Sequence, residues 1–168
     1  GITLIENPYY ATCNNISSWY VARDYLENAI ILDGDQIIHN ERILTSEFCQ
    51  SGYNSVWTSE ETDEWLQTVK DGIVTACSRV GGKCGWQLYS ISRWTAEDGR
   101  KLKKHLELEF EQRHHTQIYW DDIVMFCHPE EYQLGIFEMQ ADDVIEIDSL
   151  DELIDLDNSY ECFREKEE

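Results

Sequence analysis

The stretch Ile30-Ile31-Leu32-Asp33-Gly34-Asp35 decides how this chain is expected to fold. Its apolar part follows Ala29 and ends at Gly34, which predicts a buried strand of a parallel sheet, covered on both faces. In open α/β sheets, ligands bind beyond the carboxyl ends of such strands. Two aspartates at that place are hard oxygen ligands, suited to a Mg²⁺ ion that holds a phosphate. A simple Asp-Gly turn is the competing interpretation, since both residues are common in turns.

A second acidic strand end occurs much later, in Val144-Ile145-Glu146-Ile147-Asp148-Ser149. Asp148 again follows a predicted strand and precedes a predicted helix. Taken by itself, Asp148 or Ser149 would be interpreted as a helix N-cap. Because the chain has two such strand ends, we predict that Asp35 and Asp148 converge on one Mg²⁺ site from opposite sides of a cleft.

Aromatic residues beside carboxylates form a third feature, in Asp63-Glu64-Trp65 and in Tyr119-Trp120-Asp121-Asp122. The face of each ring attracts a quaternary ammonium by about 0.5–2 kcal/mol, and a carboxylate adds charge. The competing interpretation places Trp65 and Trp120 in the core, where tryptophan is commonly found. A fourth feature, Asn14-Asn15-Ile16-Ser17-Ser18, suits either a loop that contacts a nucleotide or a plain helix cap.

The composition restricts the class of protein. The chain has 168 residues, of which 42% are hydrophobic and 28% charged, and this favours one globular domain. A net charge of −21 argues against a DNA or RNA polymer as partner. No apolar run reaches transmembrane length, so no membrane partner is expected. The six cysteines form no C-x-x-C pair, which disfavours zinc and fits free thiols in a reducing cytoplasm.

The predicted elements mix strands with helices. Strands are expected over 2–5, 29–33, 54–58, 73–80, 86–92, 134–139 and 144–147, and helices over about 17–26, 96–113, 120–126 and from 149 onward. Gly81-Gly82-Lys83 predicts a hairpin between its two flanking strands. Leu102, Leu106 and Phe110 share one face of the longest helix, which Thr95 caps. The fold class is therefore α/β with an antiparallel excursion.

In their order along the chain, these motifs resemble the bacterial CTP:phosphocholine cytidylyltransferases, a branch of the sugar-phosphate nucleotidyltransferases. The resemblance rests on Asn7-Pro8-Tyr9-Tyr10, Asn14-Asn15-Ile16-Ser17-Ser18, Leu32-Asp33-Gly34-Asp35, Glu64-Trp65, Tyr119-Trp120-Asp121-Asp122 and Glu146-Ile147-Asp148-Ser149. It implies a three-layer α/β nucleotidyltransferase fold with a mixed sheet. It also implies the Mg²⁺-dependent transfer of CMP from CTP to phosphocholine, which gives CDP-choline and pyrophosphate.

The same resemblance implies roles for individual residues. Asp35 and Asp148 fall on the family's catalytic Mg²⁺ ligands. Trp65 and Tyr119 fall on aromatic residues of the choline pocket, with Asp121 as their carboxylate partner. Three residues fall on the loop that approaches the nucleotide, and they are Asn14, Asn15 and Ser17.

The front of the family's domain has no counterpart in the sequence. The family begins with a strand, a Gly-rich loop that carries an arginine, and a Lys-Pro segment, which together hold the triphosphate. The resemblance therefore implies that residues 1–157 are the rear two-thirds of one domain, without its first strand and triphosphate loop, and that 158–168 are an acidic tail. We expect the isolated chain to be inactive, and its open sheet edge to favour self-association.

Three other functions remain open at this stage. A sugar-1-phosphate nucleotidyltransferase would share the fold and the metal, but it would need hydrogen-bonding groups in place of Trp65 and Tyr119. A phosphatase of the haloacid-dehalogenase type also carries two aspartates after a strand, but has Thr or Val where Ile37 stands. A non-catalytic remnant would bind choline or nucleotide without turnover.

Overall fold

The structure is a computed structural model that describes residues 1–164; residues 165–168, the end of the predicted acidic tail, lie outside the described part. The strands are β1 (Ala29–Ile31), β2 (Gln36–Ile38), β3 (Gly52–Thr62), β4 (Leu66–Lys70), β5 (Ile73–Ser78), β6 (Gly82–Trp94), β7 (Gly135–Glu138) and β8 (Val144–Glu146). One mixed sheet has the order β5-β4-β6-β3-β7, and β1 also pairs with β6. β2 and β8 form a separate two-stranded ribbon.

Helices cover the sheet. The α-helices are α1 (Ile16–Val21), α2 (Ala96–Leu106) and α3 (Leu150–Leu156). π-Helical turns cover Glu107–Gln112 and Ile123–Cys127, and 3₁₀ turns cover Arg23–Tyr25, Glu41–Leu44, Pro129–Glu131, Ala141–Asp143 and Asn158–Phe163. The predicted α/β class is confirmed. No helix within residues 1–164 is long and apolar enough to cross a membrane.

Two predictions about the start of the chain are wrong. Residues 2–5 form no strand, and the side chains of Ile2 and Leu4 are each 92% exposed. β1 is half-buried and runs antiparallel to β6, with Ala29 opposite Trp94. An apolar run identifies a buried strand but not its direction, which depends on the partner strand. Within the described residues, the parallel pair of the sheet is instead β3 with β7.

The predicted hairpin at Gly81-Gly82-Lys83 is also wrong. β5 and β6 do not pair, because β4, which the sequence did not reveal, lies between them. The hairpin joins β4 to β5 through Asp71-Gly72, whose φ angles of 52° and 80° define a turn of the primed type. Gly81 has a different reason to be glycine: a Cβ atom there would lie 1.8 Å from the carbonyl oxygen of Thr62.

Helix α2 follows the sequence pattern closely. Thr95 accepts a hydrogen bond from the backbone N–H of Asp98 at 3.2 Å, as the capping motif predicted. Leu102 and Leu106 are fully buried, and Phe110 continues their face in the π-helical turn. The main core lies between this face and the sheet, and Trp19, Trp94 and Trp120 are its largest side chains. A second, smaller core joins the ribbon to the sheet through Ile43, Ile91, Met139 and Val144.

A buried carboxylate connects the end of α2 to the next segment of the chain. Glu109 is fully buried and lies 2.7 Å from each of Arg113 Nη1, His115 Nδ1 and His128 Nε2. Burial alone would raise the pKa of Glu109, but the hydrogen bonds from the two histidines and the charge of Arg113 lower it below its usual value. The ionised form of Glu109 therefore stabilises the fold.

We expect Glu109→Gln to lower the free energy of unfolding by about 1–3 kcal/mol near neutral pH, because an amide can accept only part of these hydrogen bonds. Since the pKa of Glu109 is lowered by folding, its stabilisation is present above the usual glutamate pKa and is lost as the pH falls through the folded-state value. Urea unfolding near neutral pH and in acid measures both effects. The substitution Glu130→Gln, at an exposed position, is the control. A loss in the free energy of unfolding of Glu109→Gln that is equally large in acid would contradict this prediction.

Candidate active site

The ribbon of β2 and β8 brings three carboxylates together. Asp35 precedes β2, Glu146 ends β8, and Asp148 follows it two residues later. Their oxygen atoms lie within 4.8 Å of one another. The backbone N–H of Ile147 donates to the carbonyl oxygen of Asp35 at 3.0 Å, which extends the ribbon pairing to this point. The predicted convergence of Asp35 and Asp148 is therefore present in the fold, while their role as metal ligands stays a prediction.

Glu146 was not predicted as a site residue from the sequence, although its spacing from Asp148 indicates that the two side chains share one face. Side chains two residues apart in a strand point to the same face, so Glu146 and Asp148 belong together. Burial raises the pKa of Glu146, and the negative charges of Asp35 and Asp148 raise it further. Three carboxylates whose charges repel one another are a donor set that fits a divalent ion such as Mg²⁺.

A cavity of about 260 Å³ lies beside this carboxylate group. Its walls are acidic and aromatic, and they are built from segments far apart in the chain. The lining residues are the acids Asp33, Glu64, Asp121 and Glu146, the aromatics Trp65, Tyr89 and Tyr119, and Asn15, Leu88 and Ser90. Because Glu146 belongs both to this lining and to the carboxylate group, a ligand in the cavity would extend toward that group.

The structure separates the two tryptophans that the sequence left ambiguous. Trp120 is fully buried and stacks on Trp19 with 3.5 Å between ring centroids, so it is a core residue. Trp65 is only partly buried and lines the cavity. Its ring meets that of Tyr119 edge to face at 5.9 Å. Trp65 and Tyr119 thus form an aromatic wall of the cavity.

Asp121 lies in the lining but is almost wholly buried, with 5% of its surface exposed. Burial raises the pKa of Asp121, and the nearby charges of Asp33 and Asp122 add to the shift. Burial likewise raises the pKa of Asp33, and Asp35 contributes in the same direction. Burial and mutual repulsion therefore oppose the ionisation of both Asp33 and Asp121.

The three residues expected to approach the nucleotide differ in position. Asn15 lines the cavity and accepts a hydrogen bond from the backbone N–H of Trp120 at 2.9 Å. Ser17 is buried, with its hydroxyl bonded to the carbonyl oxygen of Asn14 at 2.9 Å. Asn14 bonds to the backbone of Thr116 and Gln117. Asn14 and Ser17 do not line the cavity, and both hold the loop that carries Asn15.

A larger groove of about 580 Å³ adjoins the cavity and shares Asn15 and Asp33 with it. It runs along β1, between that strand and α1, and reaches Gly34. Trp19, Leu26 and Ile31 give it an apolar floor. The shared residues mean that a ligand in the groove would lie next to one in the cavity.

Comparison with solved structures places this fold among the nucleotidyltransferases. The CTP:phosphocholine cytidylyltransferase of Streptococcus pneumoniae matches with a TM-score of 0.78 and 25% identity, covering 91% of this chain and 66% of that one. No family model matches the chain.

Two curated relatives define the class more closely. The 2-aminoethylphosphonate cytidylyltransferase of Lancefieldella rimae is 30% identical over 162 residues, covering 95% of this chain and 65% of the relative. The choline-phosphate cytidylyltransferase of Haemophilus influenzae is 30% identical over 157 residues, covering 89% of this chain and 64% of the relative. The chain is thus related to the bacterial cytidylyltransferases, which are nucleotidyltransferase enzymes, as its motifs predicted. It spans about two-thirds of the length of these relatives.

We expect a quaternary ammonium that enters the cavity to displace a proton from Asp121, because a cation favours the charged carboxylate. The affinity for choline should therefore rise as the pH rises from the usual aspartate range toward the raised pKa of Asp121. Titration calorimetry with choline, in buffers of different ionisation enthalpy, measures the proton released. Choline itself has no titrating group, so the signal comes from the protein.

The variant Asp121→Asn should abolish this proton release, and the exposed Asp142→Asn should leave it unchanged. If the heat of choline binding is the same in every buffer, Asp121 does not change its protonation on binding, and this prediction is contradicted.

Proposed function

We propose that this chain forms the acceptor and metal half of an enzyme that transfers CMP from CTP to phosphocholine, with Mg²⁺ as cofactor. The observation that carries the proposal is the cavity, whose aromatic wall of Trp65 and Tyr119 lies on the same lining as Glu146. Such a cavity suits a short molecule with an ammonium at one end and a phosphate at the other. The activities of the two relatives, a 2-aminoethylphosphonate cytidylyltransferase and a choline-phosphate cytidylyltransferase, support cytidylyl transfer to an acceptor of this kind.

The ammonium end of phosphocholine would lie against the aromatic wall. The faces of Trp65 and Tyr119 attract the trimethylammonium group, which has no N–H with which to form a hydrogen bond. Asp121 adjoins the same wall and adds negative charge. This placement would direct the phosphate of the acceptor toward the carboxylate group around Asp35.

The carboxylate group would hold the metal. Asp35, Glu146 and Asp148 fit an oxygen-ligated Mg²⁺ ion, with the nucleotide phosphates completing the coordination. A bound Mg²⁺ ion would neutralise charge on the phosphates as the reaction proceeds. These three side chains would therefore place the metal within reach of both substrates.

The reaction that this arrangement favours is a direct displacement. An oxygen of the phosphocholine phosphate forms a bond to the α-phosphorus of CTP, while the bond from that phosphorus to the oxygen of the leaving pyrophosphate breaks. The attacking phosphate is already anionic near neutral pH, so no general base is required. The contribution of the cavity residues is to position the acceptor in line, and such positioning accelerates a reaction of two bound substrates.

The triphosphate needs positive charge that the cavity does not supply. Within the described part of the chain, no lysine or arginine lines the cavity, and the net charge is −21. We therefore propose that the metal and residues outside the cavity bind the triphosphate, and that Asn15 contacts the nucleotide where cavity and groove meet. The expected inactivity of the isolated chain follows from the same shortage of cations and stays a prediction.

We expect Asp35→Asn, Glu146→Gln and Asp148→Asn each to lower Mg²⁺-dependent pyrophosphate release from CTP and phosphocholine by roughly 10²–10³-fold. The assay uses the protein as it occurs in the cell, because the isolated chain is expected to be inactive. Binding of Mn²⁺ in place of Mg²⁺ gives a readout of the metal site without turnover. Asp142→Asn is the control. Full activity and unchanged Mn²⁺ affinity in all three variants would refute the metal assignment. Choline binding without any pyrophosphate release by the native protein would instead favour the non-catalytic remnant.

A second acceptor, 2-aminoethylphosphonate, is favoured by one observation. Four carboxylic acids line the cavity, and carboxylates accept hydrogen bonds that a primary ammonium donates but a trimethylammonium cannot. Direct comparison of kcat/KM for phosphocholine and 2-aminoethylphosphonate decides between the two acceptors.

The variant Trp65→Ala tests how strongly the binding of each acceptor depends on the indole ring of Trp65. We expect it to raise the KM for phosphocholine by about 2- to 30-fold, with a smaller rise for 2-aminoethylphosphonate and little change for CTP. Trp57→Ala is the matched control, because Trp57 is 53% exposed and does not line the cavity. If Trp65→Ala instead destabilises the fold, and the molecules that still fold retain full phosphocholine affinity, then Trp65 acts in packing.

A further inference from the structure

The aromatic wall is supported by a cation that lies outside the cavity. The guanidinium of Arg79, just after β5, lies over the ring of Phe126 at 3.9 Å from the ring centroid. The same guanidinium lies 5.7 Å from the centroid of Trp65. Trp65 lines the cavity, whereas Arg79 and Phe126 do not. Arg79 therefore contacts the wall without contacting the space that a ligand would occupy.

One carboxylate joins Arg79 to the other half of the wall. Asp122 Oδ1 lies 2.5 Å from Arg79 Nη2, and the Asp122 side chain is only 5% exposed, against 48% for Arg79. The second oxygen, Asp122 Oδ2, accepts a hydrogen bond from the backbone N–H of Tyr119 at 3.0 Å. Asp122 thus connects the main chain at Tyr119 with the cation that lies over Trp65.

This connection matters because the two rings come from distant parts of the chain. Trp65 lies in the connection between β3 and β4, and Tyr119 lies in the segment that follows α2. Their direct contact is a single edge-to-face approach at 5.9 Å, and Phe126 makes another with Trp65 at 5.7 Å. Edge-to-face contacts tolerate a range of ring separations, so they fix the spacing of the wall only weakly.

We propose that Arg79 is a positioning residue that sets the spacing between Trp65 and Tyr119 and thereby the width of the acceptor cavity. A planar guanidinium can stack on Phe126 and pair with Asp122 at the same time, which the ammonium of lysine does less well. The proposal rests on the proposed function only for the identity of its ligand, an acceptor with an ammonium group. The geometry it describes exists without the ligand.

The first test therefore uses no ligand. Fluorine NMR of the fluorotryptophan-labelled chain reports the environment of each indole, and Trp65→Phe assigns the Trp65 signal. Arg79→Ala should shift and broaden that signal. Arg100→Ala is the matched control, because it removes an exposed ion pair with Glu27 of 2.6 Å and should leave the Trp65 signal in place. An unmoved Trp65 signal in Arg79→Ala would overturn the proposal.

The second test separates positioning from contact with the nucleotide. Arg79→Ala should weaken the binding of phosphocholine or 2-aminoethylphosphonate by about tenfold or more, and change the KM for CTP by less than about twofold. The kcat at saturating acceptor should stay within about threefold of the native value, and Arg79→Lys should restore part of the affinity. Unchanged acceptor affinity, or a KM for CTP that rises in parallel, would overturn the positioning role.

The two tests distinguish a failure of the proposed function from a failure of the positioning role of Arg79. If the native protein binds neither acceptor, the proposed function fails, while the NMR comparison still decides whether Arg79 positions Trp65. Should Arg79→Ala fail to fold, Asp122→Asn replaces it, because its amide oxygen can still accept from Tyr119 but no longer pairs with a cation. The same displacement of the Trp65 signal is expected in that variant, and its absence would overturn the proposal.

Discussion

The stack of Trp19 on Trp120 is the contact on which the site depends. Trp120 is fully buried between α1 and the sheet, where it also stacks on Tyr53 at 5.6 Å between ring centroids. Because its indole is fixed in the core, its two neighbours in sequence, Tyr119 and Asp121, are held at the edge of the core and line the cavity. The bond from its backbone N–H to Asn15 attaches the loop before α1 to the same point. A hydrophobic contact thus determines the arrangement of a polar site.

Electrostatic repulsion is the second constraint on the site. The ribbon and the cavity bring the carboxylates of Asp33, Asp35, Glu146 and Asp148 close together, and the pKa values of Asp33 and Glu146 are raised, first by burial and then by these neighbours. Elsewhere the chain pairs its charges, as at Glu109, where a buried carboxylate has three donors. The exposed carboxylates of Asp35, Glu146 and Asp148 lie close together instead, and their proximity is the basis of the proposed metal site.

The sequence predicted features that depend on local pattern or on the ends of strands. The cap and buried face of α2, the carboxylates of Asp35 and Asp148, and the residues of the aromatic wall all have signatures within a few neighbouring positions. Strand direction and strand order could not be predicted in this way. β1 has the composition of a parallel strand but pairs antiparallel with β6. The glycines Gly81 and Gly82 predicted that β5 and β6 pair as a hairpin, but β4 lies between these two strands. The support of Trp65 by Arg79 and Asp122 is equally hidden, because it joins three segments that no sequence motif relates.

The ribbon has a consequence for the order in which the site can assemble. Residues 36–38 pair with residues 144–146, so roughly a hundred residues of chain must be closed into a loop before these strands meet. During synthesis from the amino end, both rings of the aromatic wall leave the ribosome before β8 does. The aromatic wall can therefore form while the group of Asp35, Glu146 and Asp148 is still incomplete. The three carboxylates would come together only after β8 has been synthesised and has paired with β2.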